Sequence, residues 1–462
     1  MIPIFNSPAV LPVLITPLGS AAYAAGDSPV DLGSRLELLV DDWLIDTLKG
    51  LTWQLHAPVR REIALEFNAP WEGPYSAYVT VFQDGDRYRM YYRGAREQGP
   101  EVTCYAESND GIHWHKPNLG LFEWEGSKEN NIVWTGPGTH NFTPFKDANP
   151  AAPPEQRYKA LAGGPLLALV SADGLHWSKL QEEPVITQGA FDSQNLAFWD
   201  SVRGQYREFH RGFRDGLRDI LTSTSEDFIH WTEPQWLDYG GAPREHLYTN
   251  AAIPYFRAPH IFLAFPKRFV PERHAIREHP EPGVSDGVLM SSRDGWHWDR
   301  RFMEAFLRPG PDPQNWTQRS NMIAWGLVPT GPGEISLYHS EHYYHPTCRL
   351  RRSTLRTDGF VSLHAPYAGG EFTTRLLTFQ GRELVLNYAT SAVGSIRVEI
   401  QDAAGHPYPG YALADCPEIY GDELERPVAW NAGTEVSALA GRPLRLRFVM
   451  QDADLYALRF RP

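Results

Sequence analysis

Short runs of apolar and aromatic residues alternate along this chain with turns rich in glycine and aspartate. Residues 78–82 and 88–92, for example, flank the dipeptide Asp84-Gly85, and this is the pattern of a β-hairpin. The same strand–turn–strand pattern returns several times, and no useful stretch has the apolar period of a helix. The pattern predicts an all-β protein.

A short motif recurs with these strands. It consists of a serine, an aspartate two residues later, usually a glycine, and a final His-Trp pair. Four copies end at Trp114, Trp177, Trp231 and Trp298, and a weaker copy is Thr357-Asp358-Gly359-Phe360. A strand-rich unit repeated at near-even spacing is typical of propellers. We therefore predict a five-bladed β-propeller over residues 27–368, with the motif's Asp and His as turn residues.

The two ends of the chain differ from this repeat. Alternating strands after about residue 370 predict a C-terminal β-sandwich over residues 369–462, with Trp430 and Val436 in its core. The apolar run at residues 36–45 is expected to complete the last blade and close the ring. Residues 1–26 have the apolar run and small-residue cleavage site of a leader, although no Lys or Arg precedes them. This leader favours a periplasmic or secreted protein.

Composition narrows the functional classes. The chain has 43 Lys and Arg against 56 Asp and Glu, a formal net charge of −13, which makes nucleic acids and anionic membranes poor partners. No apolar run reaches transmembrane length. The 15 Trp suit a carbohydrate partner, although many of them belong to the repeat and its core. The sequence does not indicate an oligomeric state.

Candidate chemistry follows from the predicted architecture. A propeller brings the first strand of every blade to one central funnel, so residues just before these strands should converge. Three carboxylates lie at such positions, Glu72, Asp192 and Glu245. Convergent carboxylates suit glycoside hydrolysis, in which one protonates the leaving oxygen and another acts as nucleophile or base. The further substrate-binding candidates are Trp71, His140, Asn141, Asn195, Arg211, His246, Asp286, Arg319 and Glu341.

In these features the chain resembles the five-bladed glycoside hydrolases of families 32, 43 and 68, and family 32 also carries a C-terminal β-sandwich. Asp192 looks like the aspartate of their Arg-Asp-Pro motif, and Glu245 looks like their general acid. The family's first-blade aspartate would fall at about Ser76, which cannot replace a carboxylate, and Glu72 is the nearest substitute. The resemblance implies a divergent, family 32-like bacterial glycosidase, with a furanoside-type substrate favoured.

Two other interpretations stay open. Ser76 at the nucleophile position favours a non-catalytic carbohydrate-binding propeller. A lyase or phosphorylase on the same fold is the second, and a lyase would set a base such as His140 near a uronate-binding Arg211 or Arg319, since guanidinium matches planar oxyanions. No cofactor or catalytic metal is expected. Acids in a funnel can hold a structural Ca²⁺, but no ligand loop is visible.

Overall fold

The computed structural model describes residues 28–277, 279 and 281–462, so the predicted leader at residues 1–26 lies outside the described residues. The described chain consists of β-strands and short 3-10 helices, which confirms the all-β prediction. These helices are Thr139–Asn141, Pro154–Gln156, Pro313–Asn315, Leu413–Asp415 and Ser437–Leu439. Within this part of the chain, no helix is long and apolar enough to cross a membrane.

Five four-stranded antiparallel sheets follow one another along the chain. The first sheet comprises Ala77–Asp84, Arg87–Gly94, Val102–Ser108 and Ile132–Trp134. The second comprises Thr143–Lys146, Tyr158–Gly163, Leu166–Ser171 and Ser178–Lys179. The third comprises Leu196–Asp200, Gln205–Arg214, Leu217–Ser225 and Gln235–Trp236. The fourth sheet comprises Ile253–Tyr255, Ala258–Ala264, Met290–Ser292 and Trp298–Asp299. The fifth comprises Val328–Gly331, Glu334–Glu341, Arg349–Arg356 and Val59–Glu66. Within each sheet, neighbouring strands are joined as antiparallel pairs, so successive strands run in opposite directions.

The fifth sheet is completed by a strand from the beginning of the chain. Val59–Glu66 pairs with Arg349–Arg356 as its outer strand. The prediction that residues 36–45 close the last blade was wrong, because Glu37–Leu38 pairs instead with Arg445–Arg461. The apolar run does mark a strand, but apolarity does not identify a strand's partner. Most of the real closing strand is exposed, so its sequence carries little apolar signal.

Contacts between first strands join the first sheet to the second and the fifth, and the second sheet to the third. The Val81 N–H donates to the Trp325 carbonyl at 2.8 Å, and the Trp325 N–H donates to the Val79 carbonyl at 2.9 Å. This pairing joins the first sheet directly to the fifth. The first strands of sheets one and two, and of sheets two and three, also lie side by side. The starts of these strands are therefore brought close together.

An eight-stranded antiparallel sheet with its own core follows the five sheets. Its strands are Glu37–Leu38, Ile45–Lys49, Thr52–Leu55, Val361–Ala365, Gly370–Thr374, Glu383–Gln401, Asp422–Pro427 and Arg445–Arg461. Trp430 and Val436 are buried in that core, as predicted. The sheet takes strands from both ends of the chain, so strand pairing crosses the predicted boundary between residues 368 and 369. Two small sheets complete the fold, Val30–Asp31 with Leu377–Thr378, and His246–Leu247 with Lys267–Val270 and Val284–Gly287.

The recurring motif forms a turn held by its own side chains. Asp173 Oδ1 accepts the N–H groups of Leu175 and His176 at 2.8 and 2.9 Å, and its Oδ2 lies 2.7 Å from His176 Nδ1. Ser171 Oγ accepts the N–H of Gly174 at 2.8 Å. These contacts satisfy backbone donors that the tight turn leaves unpaired. The aspartate contacts recur at Asp110, Asp227 and Asp294, which confirms the turn interpretation.

The fifth copy of the motif is different. Asp358 is fully buried and accepts hydrogen bonds from the Tyr255 hydroxyl at 2.6 Å and Arg257 Nε at 3.0 Å. Phe360 is also fully buried. This copy therefore ties the fifth sheet to the fourth, whereas the other copies form exposed turns.

We expect the substitution Asp173→Ala to lower the free energy of unfolding by about 1–2 kcal/mol, because it removes the acceptor for two backbone N–H groups. Glu182→Ala is the control, since Glu182 is exposed and paired only with Lys179. Urea denaturation measures both variants. Equal midpoints for the two variants would contradict the role of this turn.

Candidate functional site

Asp192 lies just before the first strand of the third sheet, and 64% of its side chain is exposed. Its Oδ1 is 2.9 Å from Nε2 of His140, which belongs to the 3-10 helix before the second sheet. The other ring nitrogen of His140, Nδ1, is 2.9 Å from Oε2 of Glu101. An imidazole between two carboxylates is fixed in orientation and can exchange a proton on either side.

These contacts set the protonation of all three groups. Burial lowers the pKa of His140, but the hydrogen bonds to Asp192 and Glu101 outweigh it and raise that pKa above its usual value. Arg93, 2.9 Å from Nδ1, acts in the opposite direction. The hydrogen bond from His140 lowers the pKa of Asp192 and, against the effect of burial, that of Glu101. The arrangement favours an imidazolium between two carboxylates.

A group of cations surrounds the buried ring of Tyr248. Nζ of Lys267 is 3.8 Å from the ring centroid, and the guanidinium carbon of Arg211 is 4.7 Å from it. The guanidinium carbons of Arg218 and Arg319 are each 5.5 Å from it. The electron-rich ring face stabilises such cations. Four separate segments of the chain thus bring positive charge to one aromatic side chain.

Lys267 is the most deeply placed of these cations. It is fully buried, and its Nζ donates to the Gln318 carbonyl at 2.7 Å. Burial, reinforced by the charges of Arg319, Arg218 and Arg211, holds its pKa well below the usual value for lysine. In the described part of the chain no carboxylate lies within 4.0 Å of this amine. The cations therefore repel one another at close range.

Tyr343 connects the cations to the imidazole group. Its buried hydroxyl accepts from Arg93 Nη2 at 3.1 Å and from Arg319 Nη1 at 2.9 Å. Arg93 is also close to His140, so the whole set is continuous. We call it the central cluster, and its members are Arg93, Glu101, His140, Asp192, Arg211, Arg218, Tyr248, Lys267, Arg319 and Tyr343.

Glu72 does not belong to the central cluster. Its side chain is buried, with Oε2 2.5 Å from Lys116 Nζ and Oε1 accepting from the Tyr92 hydroxyl. Its carboxylate is therefore already paired inside the first sheet, and a catalytic role for Glu72 stays a prediction. Its neighbour Trp71 donates through Nε1 to Asn131 at 2.8 Å.

Glu245 lies in a different ion-pair group. Its Oε2 is 2.8 Å from Arg300 and its Oε1 is 3.3 Å from Arg268. Arg268 also forms a two-pronged pair with Asp286 at 2.9 and 2.6 Å. No ion pair or hydrogen bond among the described residues joins this group to Asp192. The role of Glu245 as general acid stays a prediction.

Two other predicted residues position Asp192. Asn141 and Asn195 are buried, and each donates through Nδ2 to the Phe191 carbonyl, at 2.7 and 3.0 Å. Asn195 also donates to the Ser193 carbonyl at 2.9 Å. They fix the loop that presents Asp192. They are therefore structural supports of the central cluster.

The last two predicted residues have further supporting roles. His246 Nδ1 accepts the backbone N–H of Arg218 at 3.1 Å, so it orients the segment that carries this cation. Glu341 is buried and paired with Arg349 and Arg351 at 3.0 and 2.7 Å. Like Glu72, Glu341 is already paired inside its sheet, and substrate binding by Glu341 stays a prediction. Within residues 28–277, 279 and 281–462, no group of three or more His, Cys, Asp or Glu is placed to hold a metal ion.

Several members of the central cluster are absent from the predicted set: Arg93, Glu101, Arg218, Tyr248, Lys267 and Tyr343. One of them, Arg93, shares a simple position with the predicted Arg211, because each lies near the end of the second strand of its sheet. In an antiparallel hairpin the second strand ends beside the start of the first. A search for charged residues at the end of each second strand, as well as before each first strand, would have found Arg93.

The chain matches curated proteins over a short segment. No protein-family model matches it. An uncharacterised protein of Mycobacterium tuberculosis, present in two strains, is 38% identical over 61 residues, which are 12% of this chain and 20% of that protein. The match thus spans about a fifth of the curated relatives.

Similar solved structures are carbohydrate enzymes. An N-acetylgalactosamine deacetylase from F. plautii is 16% identical with a TM-score of 0.44, over 68% of this chain and 95% of that one. A glycosyl hydrolase from Bacteroides ovatus is 15% identical with a TM-score of 0.40, over 70% and 94%. A thermostable family-43 glycoside hydrolase is 11% identical with a TM-score of 0.40, over 64% and 92%. Such distant likenesses do not define the activity, and membership of family 32 stays a prediction.

We expect the titration midpoint of His140, followed by NMR of its ring protons, to lie above the usual histidine value. Asp192→Asn should lower that midpoint, because it removes the charge that stabilises the imidazolium. The raised folded-state pKa also adds stability that is full below the unfolded pKa of about 6.5 and is lost as pH rises through the folded value. An unchanged midpoint in the variant would contradict the Asp192–His140 contact.

Lys267→Met should stabilise the protein at neutral pH, by about 1–3 kcal/mol, because it removes a buried charge without a carboxylate partner. The Gln318 carbonyl keeps the hydroxyl of Ser285 as a donor. Since the folded-state pKa of Lys267 is lowered, the unfolded state binds more protons, and wild-type stability rises with pH relative to the variant. Denaturation at about pH 7 and about pH 9.5 measures this difference. A variant less stable than wild type at both pH values would show that the amine is not destabilising.

Proposed function

We propose that this chain is a carbohydrate-active enzyme that hydrolyses glycosidic bonds at the central cluster. The observation that supports this most directly is the hydrogen bond between an exposed carboxylate, Asp192, and an imidazole, His140, that is itself held by Glu101. A carboxylate and a proton donor in contact, open to solvent, are what general acid–base chemistry requires.

The proposed roles follow from the protonation of these groups. In hydrolysis the bond from the anomeric carbon to the leaving oxygen breaks, and that oxygen takes a proton. We assign this proton to the His140 imidazolium. Asp192, which is ionised, faces the anomeric carbon and takes the proton of the attacking water, or attacks the carbon itself before water releases the sugar. Glu101 acts through His140 and is a positioning residue.

The finer architecture belongs to the same proposal. We propose that the five sheets are the blades of a propeller and that the eight-stranded sheet forms the predicted sandwich. The backbone bonds between Val81 and Trp325 support a closed ring, because they join the first and last of the five sheets. A ring of this kind gives one funnel in which Asp192 and His140 meet.

A second candidate reaction is elimination by a polysaccharide lyase. One observation favours it, since Asp192 is the most exposed carboxylate of the central cluster and the cations beside it suit a uronate. Elimination removes a proton next to the uronate carboxylate and expels the leaving oxygen, which takes a proton, and it needs no second catalytic carboxylate. Its unsaturated product absorbs in the ultraviolet, whereas hydrolysis releases only a new reducing end.

We expect Asp192→Asn to lower turnover by about 100-fold or more, because it removes the charge that reacts while keeping the side-chain shape. The measurement is a reducing-sugar and ultraviolet screen over furanoside, pyranoside and uronate glycans. Glu435→Gln, an exposed change in the connection between the strands Asp422–Pro427 and Arg445–Arg461, is the control and should keep wild-type turnover. Binding of a glycan without turnover by wild type would instead support the non-catalytic interpretation.

Glu245→Gln separates the two candidates for the proton donor. Glu245 is paired with two guanidinium groups, and no ion pair or hydrogen bond among the described residues joins it to Asp192, so we expect this variant to lose less turnover than Asp192→Asn. His140→Gln, in contrast, should lose about as much as Asp192→Asn. Equal losses in Glu245→Gln and Asp192→Asn would establish Glu245 as the acid.

A further inference from the structure

The central cluster carries an excess of positive charge. Its five cations are Arg93, Arg211, Arg218, Lys267 and Arg319. The carboxylates among its members are Asp192 and Glu101, and both already contact His140. Arg211 is 3.9 Å from Asp192 and Arg93 is 3.5 Å from Glu101, whereas the other three cations have no carboxylate within 4.0 Å in the described chain.

This excess is local, because the chain as a whole has a net charge of −13. Like charges held together in a partly buried cluster, without carboxylates beside them, destabilise the folded protein. Lys267 shows the cost, since burial and its cationic neighbours depress its pKa. Strongly perturbed groups at one place in a fold are typical of binding or catalytic sites. An anion bound at this place would relieve the repulsion.

The free edges of the guanidinium groups indicate the shape of that anion. Arg211 uses Nε to donate to the Ala190 carbonyl at 3.2 Å, and Arg319 uses Nη1 to donate to Tyr343. Buried Nε of Arg319 has no partner among the described residues. Guanidinium groups with unused donors match the oxygens of a carboxylate or a sulfate.

An aromatic ring beside these groups suits the rest of a sugar. Phe213 is 53% exposed, and its ring lies 5.5 Å from the guanidinium carbon of Arg211 and 5.4 Å from that of Arg218. An exposed ring can stack on the C–H face of a saccharide, while the neighbouring cations hold its charged substituent. Because Arg211 also lies next to Asp192, that sugar would be adjacent to the reacting carboxylate.

We infer that the substrate is an acidic saccharide, and that Arg211, Arg218 and Arg319 bind its anionic substituent beside the bond cleaved at Asp192. The substituent is a uronate carboxylate or a sulfate ester, each of which presents at least two oxygens that can accept the paired N–H donors of a guanidinium. This inference rests on the proposed function, because it names the substrate of that site.

The first test needs no knowledge of the sugar. Thermal unfolding is followed in sodium sulfate and in sodium D-glucuronate, each against sodium chloride and D-glucose at matched ionic strength. We expect saturable stabilisation by at least one of the two anions, because a ligand that binds only the folded state stabilises it. Arg319→Gln should weaken the apparent affinity more than tenfold, and the exposed control Arg382→Gln should not change it. Equal effects of these anions and chloride would overturn the inference.

The second test separates the inference from the proposed function and separates the two anions. Binding and turnover are both measured for matched pairs of oligosaccharides, one a uronate with its methyl ester and the other a sulfated glycan with its desulfated form. Preferred binding of an anionic member, lost in Arg319→Gln, supports the inference, and the pair that shows it identifies carboxylate or sulfate. Such binding without turnover would contradict only the proposed hydrolysis. Turnover of neutral members at equal rates would contradict only the acidic substrate.

Arg319→Gln has an internal control for folding. The side chain is half-buried without a carboxylate partner, so the variant loses a repulsive charge and should unfold in chloride at a temperature no lower than wild type. Arg319→Lys keeps the charge but not the planar fork, and we expect it to recover only part of the anion affinity. Full recovery by lysine would show that charge alone, without guanidinium geometry, determines binding.

Discussion

The structure depends on the pairing that joins the first of its five sheets to the last. Backbone hydrogen bonds between Val81 and Trp325, together with the outer strand Val59–Glu66, connect the first part of the chain to residues about 240 to 290 positions later. Only when these distant segments are joined do the starts of the first strands meet. Asp192 and His140 precede the first strands of two neighbouring sheets, and because these strands lie side by side the two side chains come within 2.9 Å.

The same place combines several features that cost stability. Tyr78, Ala251 and Asn321, at the beginnings of strands or just before them, have φ values of 53°, 43° and 63°, a left-handed conformation that is unfavourable for non-glycine residues. Lys267 is buried without a carboxylate. Strain and unpaired charge at one location are tolerated when the surrounding fold is strong enough to hold them, and they commonly accompany function. The strand pairs around the site provide that support.

Carboxylates at similar sequence positions differ in burial and in their partners in this fold. Glu72 and Asp192 both precede the first strand of a sheet, but Glu72 is neutralised by Lys116 whereas 64% of the Asp192 side chain is exposed. The difference arises from neighbours distant in sequence. Asn141 and Asn195 hold the Phe191 carbonyl and so keep Asp192 at the surface of its loop. Whether a carboxylate is buried in an ion pair or exposed to solvent thus depends on its surroundings in the fold and not on the residue type.

The strands, the turn motif and the positions of Asp192 and His140 before first strands were predictable from the amino-acid sequence, because alternation and turn chemistry act over a few neighbouring residues. It did not determine that Val59–Glu66, rather than residues 36–45, completes the fifth sheet. Nor did it indicate that Lys267 and Tyr343 would join Asp192. Strand partners and the pairing of charges depend on contacts between residues far apart in the chain, so they became visible in the three-dimensional fold.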